Sequence, residues 1–248
     1  MIDTVLDTPD THSAAVHQTR RAPISFAAGI GYSIAWLAGL LVFSSSTQVR
    51  STGAQVLRAY AGHQGVVSIQ FVLTEGVAAV MLAVVTWSLA AAVARRAGAL
   101  KRLILTSGLV ASGVSIVQCG LGLWLTTTLL SERDANTAGA VAQALNRLDG
   151  VKMLLLAVLA AGTATAVYRS LIRLPRWLGA IAVAVAVTIT LSAVGYLLLN
   201  NLFATAAWLS LPLLLVFVTG TGISLDCIQR HDTEGSAMAH SGAVSNVR

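Results

Sequence analysis

Glu75 is an acid set deep inside a long apolar run, residues 66–93. It lies nine positions into that run, about 13 Å along a helix and therefore near the centre of a bilayer. An ionised carboxylate at that depth costs at least ~2.5–3.5 kcal/mol, so it must face other helices and either find a partner or hold a proton. Ser68, Glu75, Ala79 and Thr86 share one narrow helical face. Two chemistries suit such a residue: a proton relay, or a binding carboxylate for a cationic solute, with Gln70 and Gln118 as co-ligands. The packing alternative is a protonated Glu75 hydrogen-bonded to a neighbouring helix, for example to Gln118. The sequence offers no second acid at the same depth, which favours the packing alternative.

The densest polar cluster is Asn146, Arg147, Asp149 and Lys152, at the entry to the fourth apolar run. Asp149 and Lys152 stand three apart and can pair along a helix. As a site, this cluster is a rim for a ligand or partner. As plain structure, it is the solvated face of an interfacial helix with a snorkelling Lys152. Gln118 and Cys119 sit mid-run. Gly108, Ser112, Ser115, Cys119 and Gly122 make a stripe of small residues that lets a neighbouring helix approach closely. Four of the five histidines lie in the tails and only His63 is near a run, so a haem held by two histidines within the bilayer is excluded. There is no HExxH, no CxxC, no Walker-type glycine loop and no GxSxG serine-protease pattern. No catalytic residue, metal site or cofactor is therefore expected.

The elements that position these residues are six apolar runs, at about 24–43, 66–93, 103–130, 153–168, 177–199 and 206–225. Most reach the roughly 20 residues needed to cross a bilayer. The fourth does so only if Leu148 and Val151 belong to it. The chain is 56% hydrophobic and 10% charged, where a soluble domain has about a quarter of its residues charged. The expected fold is an all-α polytopic membrane bundle of six transmembrane helices with two short extracytoplasmic amphipathic helices, one over 54–61 and one over 141–151. Both lead into a span through a Gly-Val step, so spans one–two and three–four are expected to be tandem copies of one unit. Residues 1–23 and 226–248 are expected to be disordered cytoplasmic tails flanking the six-span domain at 24–225. Pro212 is expected to kink the last span.

Charge sets the orientation. Arg20, Arg21, Arg95, Arg96, Lys101, Arg102, Arg169, Arg173, Arg176, Arg230 and Arg248 fall on one side of the six runs; Arg50, Arg58, Arg133, Arg147 and Lys152 fall on the other. The richer side is cytoplasmic by the positive-inside rule, which puts both termini inside. Trp87, Trp124, Trp177 and Trp208 lie near run ends, as interfacial aromatics do. The net charge of +6 gathers at the ends of runs rather than on one soluble face, so nucleic acid is not an expected partner. The dominance of Arg over Lys, with abundant Ala, Val, Leu and Gly, points to a GC-rich bacterial genome and a bacterial inner membrane.

The segment Leu174-Pro175-Arg176-Trp177-Leu178-Gly179, with Gly195-Tyr196-Leu197-Leu198 after it, resembles the fifth-span region of a bacterial family of six-span integral membrane proteins classed as a domain of unknown function. The outer helix over 54–61 fits the same layout. The resemblance implies a fold and no activity. Three function classes follow, in this order: a non-enzymatic regulatory or accessory protein acting through a membrane protein partner, a homo-oligomer or the lipid bilayer; a small-solute or proton-linked transporter centred on Glu75; and a membrane enzyme acting on a lipid or quinone through Asn146, Arg147 and Asp149.

Overall fold

The computed structural model describes residues 24–43 and 48–245, with side chains described as far as Ile228. The expected tail over 1–23 lies outside the described residues. The described chain is helical throughout, with α1 (Ile24–Val42), the short α2 (Gly53–Tyr60), α3 (Gln64–Ala92), α4 (Arg95–Glu132), α5 (Ala135–Tyr168), α6 (Arg176–Leu197), the single-turn α7 (Asn201–Ala204) and α8 (Ala207–Ser245). Six helices are long and apolar enough to cross a membrane, and the fold is an all-α polytopic bundle. Ile34, Leu41, Val80, Val110, Val117, Val187 and Val216 point outward from it, as lipid-facing groups do. Trp87, Trp124, Trp177 and Trp208 are exposed near helix ends.

The six spans form a ring in chain order. Each of α1, α3, α4, α5 and α6 packs on the next, and α8 closes the circle by packing on both α6 and α1. The sequence builds these seams from small residues. A Cβ added at Gly222 would meet the Ser25 carbonyl oxygen at 2.5 Å and the Gly29 backbone at 3.0 Å, so α1 and α8 touch backbone to backbone. Ser33 and Thr219 share a hydrogen bond of 2.7 Å across that seam, and the Thr219 hydroxyl also donates to the Gly29 carbonyl at 3.0 Å. The expected small-residue stripe of α4 does face α3: a Cβ at Gly108 would strike Thr86, and one at Gly122 would strike Phe71. α5 is the most enclosed span, with 61% of its apolar window buried against 22–44% for the other five.

Where α3 meets α4 and α5 meets α6, the two basic connections are fastened together. The Ala94 N–H donates to the Leu171 carbonyl at 2.9 Å. Val93, Ile172 and Leu174 turn inward there and join the main apolar core.

Several local expectations need correction. The two outer amphipathic segments are not equivalent. α2 is a separate helix, started by a capping box between Thr52 and Gln55 and separated from α3 by Gly62, whose φ of 76° suits glycine. The segment 141–151 has no such break; it is simply the upper part of α5, which runs unbroken for 34 residues. The tandem-repeat layout therefore does not carry through. The helix after Pro212 also passes the expected end at Leu225 and continues to Ser245, where a disordered tail was expected over 226–248. Once a helix is nucleated, each further residue adds a hydrogen bond, and no proline follows Pro212 to interrupt it.

Two turns in the spans are wider than an α-helix, Val72–Val77 in α3 and Leu125–Leu129 in α4. In each, hydroxyls occupy the carbonyls of the preceding turn: Thr74 donates to the Gln70 carbonyl, and Thr126 and Thr127 both donate to the Leu123 carbonyl. Such back-bonding competes with the backbone ladder and loosens it locally.

Two predictions follow from this architecture. Gly222→Val should lower thermal stability by about 1–3 kcal/mol or more through overpacking, whereas Gly65→Ala, where a Cβ meets nothing within 4 Å, should leave it unchanged; thermal unfolding in detergent reads both. At the start of α5, the Asp134 carboxylate is held below the usual range by the Thr137 hydroxyl and by the Thr137 and Asn136 N–H groups. That cap stabilises the helix start above the carboxylate's unfolded pKa of about 3.9 and is lost as pH falls through the lower folded value. Protection of the Asn136 and Thr137 amides, relative to their intrinsic exchange, should therefore fall only below the carboxylate's ordinary range, and should already be low at neutral pH in Asp134→Ala.

Candidate functional site

The buried stripe of α5 runs Ala138, Val141, Leu145, Lys152, Leu156, Leu159 and Thr163, at helical spacings of three, four and seven. Lys152 occupies this stripe and Asp149 lies one turn before it. The expected snorkelling of Lys152 to an interface does not occur, because α5 extends far above it and leaves it mid-helix. Its side chain turns across the ring instead. The ammonium donates to Glu75 Oε1 at 2.9 Å and to Glu75 Oε2 at 2.8 Å, and forms an ion pair with Asp149 Oδ1 at 2.6 Å. Lys152 is 5% exposed and Glu75 7%. The nitrogen also stands 5.9 Å from the centre of the Trp36 ring on α1, within cation–π range.

Glu75 is thus paired to a lysine and not to Gln118. Gln118 Nε2 donates to the Leu145 carbonyl at 3.2 Å and to Asp149 Oδ1 at 3.4 Å. The second acid that the sequence did not place at this depth is Asp149. The wide turn Val72–Val77 carries the Glu75 carboxylate, and turns of this kind concentrate at functional positions. Ser115 of α4 lies beside the same carboxylate.

The depth of the site also differs from the mid-bilayer expectation. Gln70 donates to the Phe43 carbonyl at 3.0 Å, so the first turns of α3 rise beyond the end of α1. Glu75 follows five residues later, about 7–8 Å below that level. From the basic end, Glu75 and Lys152 are 17 and 16 residues from the helix ends Ala92 and Tyr168, about 25 Å in each case. The matched depth lets them meet, nearer the α2 end than the middle.

Of the candidate residues named from sequence, the structure brings together Glu75, Gln118 and Asp149. Gln70 fastens α3 to the end of α1. Asn146 donates to the Val49 carbonyl at 3.2 Å and fastens the connection before α2. Arg147 is exposed on the far side of α5 from the pair. Lys152, expected in the rim cluster or snorkelling to an interface, is instead the centre of the site. The signal that marks it is its place in the buried stripe at 145, 149, 152 and 156.

Beside the ion cluster lies a cavity of about 570 Å³, lined by residues from all six spans. Asp149 and Lys152 form its polar end with Ser115 and Thr74 close by. Tyr32, Trp36, Tyr196 and Trp208 supply aromatic walls, and Leu82, Leu156, Ile189 and Leu214 the apolar remainder. Pro212 also lines it; having no N–H, it leaves the Trp208 carbonyl without its usual helical donor. Size and lining match a small-molecule site, which is mostly apolar with a few convergent polar groups.

Comparison with protein-family models, with curated proteins and with solved structures finds no match to this chain.

Removing one partner of a buried ion pair leaves the other charge uncompensated, at a cost of about 3–5 kcal/mol, whereas replacing both by apolar groups is often neutral. Lys152→Met should therefore be strongly destabilised, and combining it with Glu75→Leu and Asp149→Asn, so that neither carboxylate is left unpaired, should recover much of the loss. Equal thermal unfolding of Lys152→Met and the unaltered protein would show that the pair does not hold the bundle.

Proposed function

We propose that this chain is a solute-binding, carrier-type protein of a bacterial inner membrane, with its basic end and both termini in the cytoplasm. The observation that carries this reading is the cavity lined by all six spans and ending on a buried ionic triad. A bundle held by packing alone has no need of a carboxylate and an ammonium at the wall of a hollow with a second carboxylate behind them, and the desolvation they incur is large. The triad supplies groups that can exchange a proton as a solute arrives or leaves. This favours the transporter class over the accessory class that the sequence ranked first. The orientation rests on the charge of the two fastened connections, which carry Arg95, Arg96, Lys101, Arg102, Arg169, Arg173 and Arg176. Kinship with the six-span family of unknown function remains part of the proposal, since the same helix layout supports it.

A second reading, an accessory subunit or homo-oligomer, draws on one feature. Gly113 and Gly120 lie two turns apart on the outer face of α4, and a Cβ at either meets nothing within 4 Å. Gly113→Leu with Gly120→Leu should shift the oligomeric state in lipid nanodiscs if that face binds a second helix.

The cavity is tested with a variant in which Trp36 is the sole tryptophan, titrated with brominated amphiphiles of positive, zero and negative charge. At least one class should quench Trp36, and Ala207→Phe, which fills the cavity wall, should abolish that quenching. If no class quenches beyond the Ala207→Phe level, the solute-binding reading fails.

A further inference from the structure

We propose that the central cavity takes an amphipathic organic cation, an amine or quaternary ammonium on an apolar body, with its charge set against Asp149. This rests on the solute-binding reading above and assigns the chemical class of the solute.

Hydrogen-bond valence gives the first argument. An ammonium has three donors; two go to the Glu75 oxygens, and Asp149 Oδ1 pairs with the same nitrogen at 2.6 Å. Two carboxylates thus enclose Lys152 Nζ and shield it from an anion. Asp149 is the opposite case. Its Oδ1 receives Lys152 and Gln118, while its Oδ2 receives no donor among the described residues. The Asp149 side chain is 22% exposed, against 6% for Lys152 and 10% for Glu75. The unused valence at the polar end is thus a carboxylate oxygen.

Charge gives the second. Two carboxylates face one ammonium, so with all three ionised the cluster carries one negative charge in excess. Lys152 is the only basic residue lining the cavity among the described residues. An anionic solute would meet that excess with no cation to answer it. A cationic one neutralises it.

The walls and the mouth give the third. Tyr32, Trp36, Tyr196 and Trp208 make the walls aromatic, a surface type that attracts cations, and Lys152 already stands over the Trp36 ring. A bare metal ion needs a shell of oxygens, which walls of Leu, Ile, Met and Ala do not supply. The rim residues Leu37, Leu40 and Trp208 are exposed on the outer surface of the bundle, Trp208 at 85%. The cavity thus opens sideways among lipid-facing groups, and a solute with an apolar body reaches it from the bilayer.

Tetraphenylphosphonium and tetraphenylborate have the same shape and opposite charge, which makes them the test. Each is titrated into the purified full chain in detergent, with Ala207→Phe as the blocked reference. The phosphonium should bind in excess of the reference and the borate should not. Asp149→Asn should weaken phosphonium binding by more than about tenfold, while Asp149→Glu, which keeps the charge, should retain it; thermal unfolding confirms that both variants fold. Borate binding equal to or above that of the phosphonium overturns the assignment while leaving the cavity reading intact. Undiminished phosphonium binding in Asp149→Asn also overturns it. If neither ion exceeds the Ala207→Phe level, the assignment falls together with the cavity reading.

Discussion

A lysine ammonium stripped of water is costly to bury, by several kcal/mol even after relaxation, unless good acceptors surround it. Lys152 meets that condition by drawing on three helices at once. Glu75 comes from α3, Asp149 from its own helix one turn away, and the Trp36 ring from α1. Much of the architecture follows from this convergence. α5 must be the enclosed member of the ring, since it carries both Lys152 and Asp149 on its inward stripe. α3 must bring Glu75 to the same depth, and the wide turn over Val72–Val77 is where it does so.

The apolar core and the cavity divide the bundle between them. Toward the basic connections the interior is filled by Leu89, Ile104, Val167, Leu178, Phe217, Val218 and Leu225, and the helices touch through glycines such as Gly29 and Gly222. Toward the α2 end the interior holds the ionic cluster and the hollow beside it. A separate small core of Val56, Leu125, Leu129, Ala138, Val141 and Leu145 holds α2 against the neighbouring ends of α4 and α5. The described hollow thus lies beside the charged groups, with a few convergent polar groups in a mostly apolar lining, as in small-molecule sites.

The six spans were legible in the sequence because the hydrocarbon layer imposes length and apolarity on each of them separately. The inward-facing Glu75 was legible for the same reason, as was the small-residue seam of α4. Its partner was not. Hydropathy places the fourth run at 153–168, so Lys152 reads as a boundary residue, although the helix holding it begins at Ala135. The polar residues over 134–149 hide the continuity of that helix, since they lower hydropathy without interrupting helical geometry. Asn146, Arg147 and Asp149 read as one cluster in sequence, yet successive residues on a helix point about 100° apart, and only Asp149 turns toward the cavity. Glu75 lies nearer the α2 end than its place in the apolar run implies, because the run of α3 starts well before the level at which α1 ends. The cavity lies beyond sequence altogether, because it is a property of six helices and of no single one.

The bond from Ala94 to Leu171 joins the hairpin carrying Glu75 to the hairpin carrying Lys152, and it does so at the end remote from both charges. Mechanically it is the fulcrum of a pair of long arms. Each arm measures about 25 Å from the fulcrum to its charge. A splay of only 2–3° at the fulcrum therefore moves the tips apart by about 1 Å, enough to carry a contact of 2.8 Å beyond hydrogen-bonding distance. Leverage of this kind makes the ionic latch responsive to angular changes too small to disturb the packed end of the bundle.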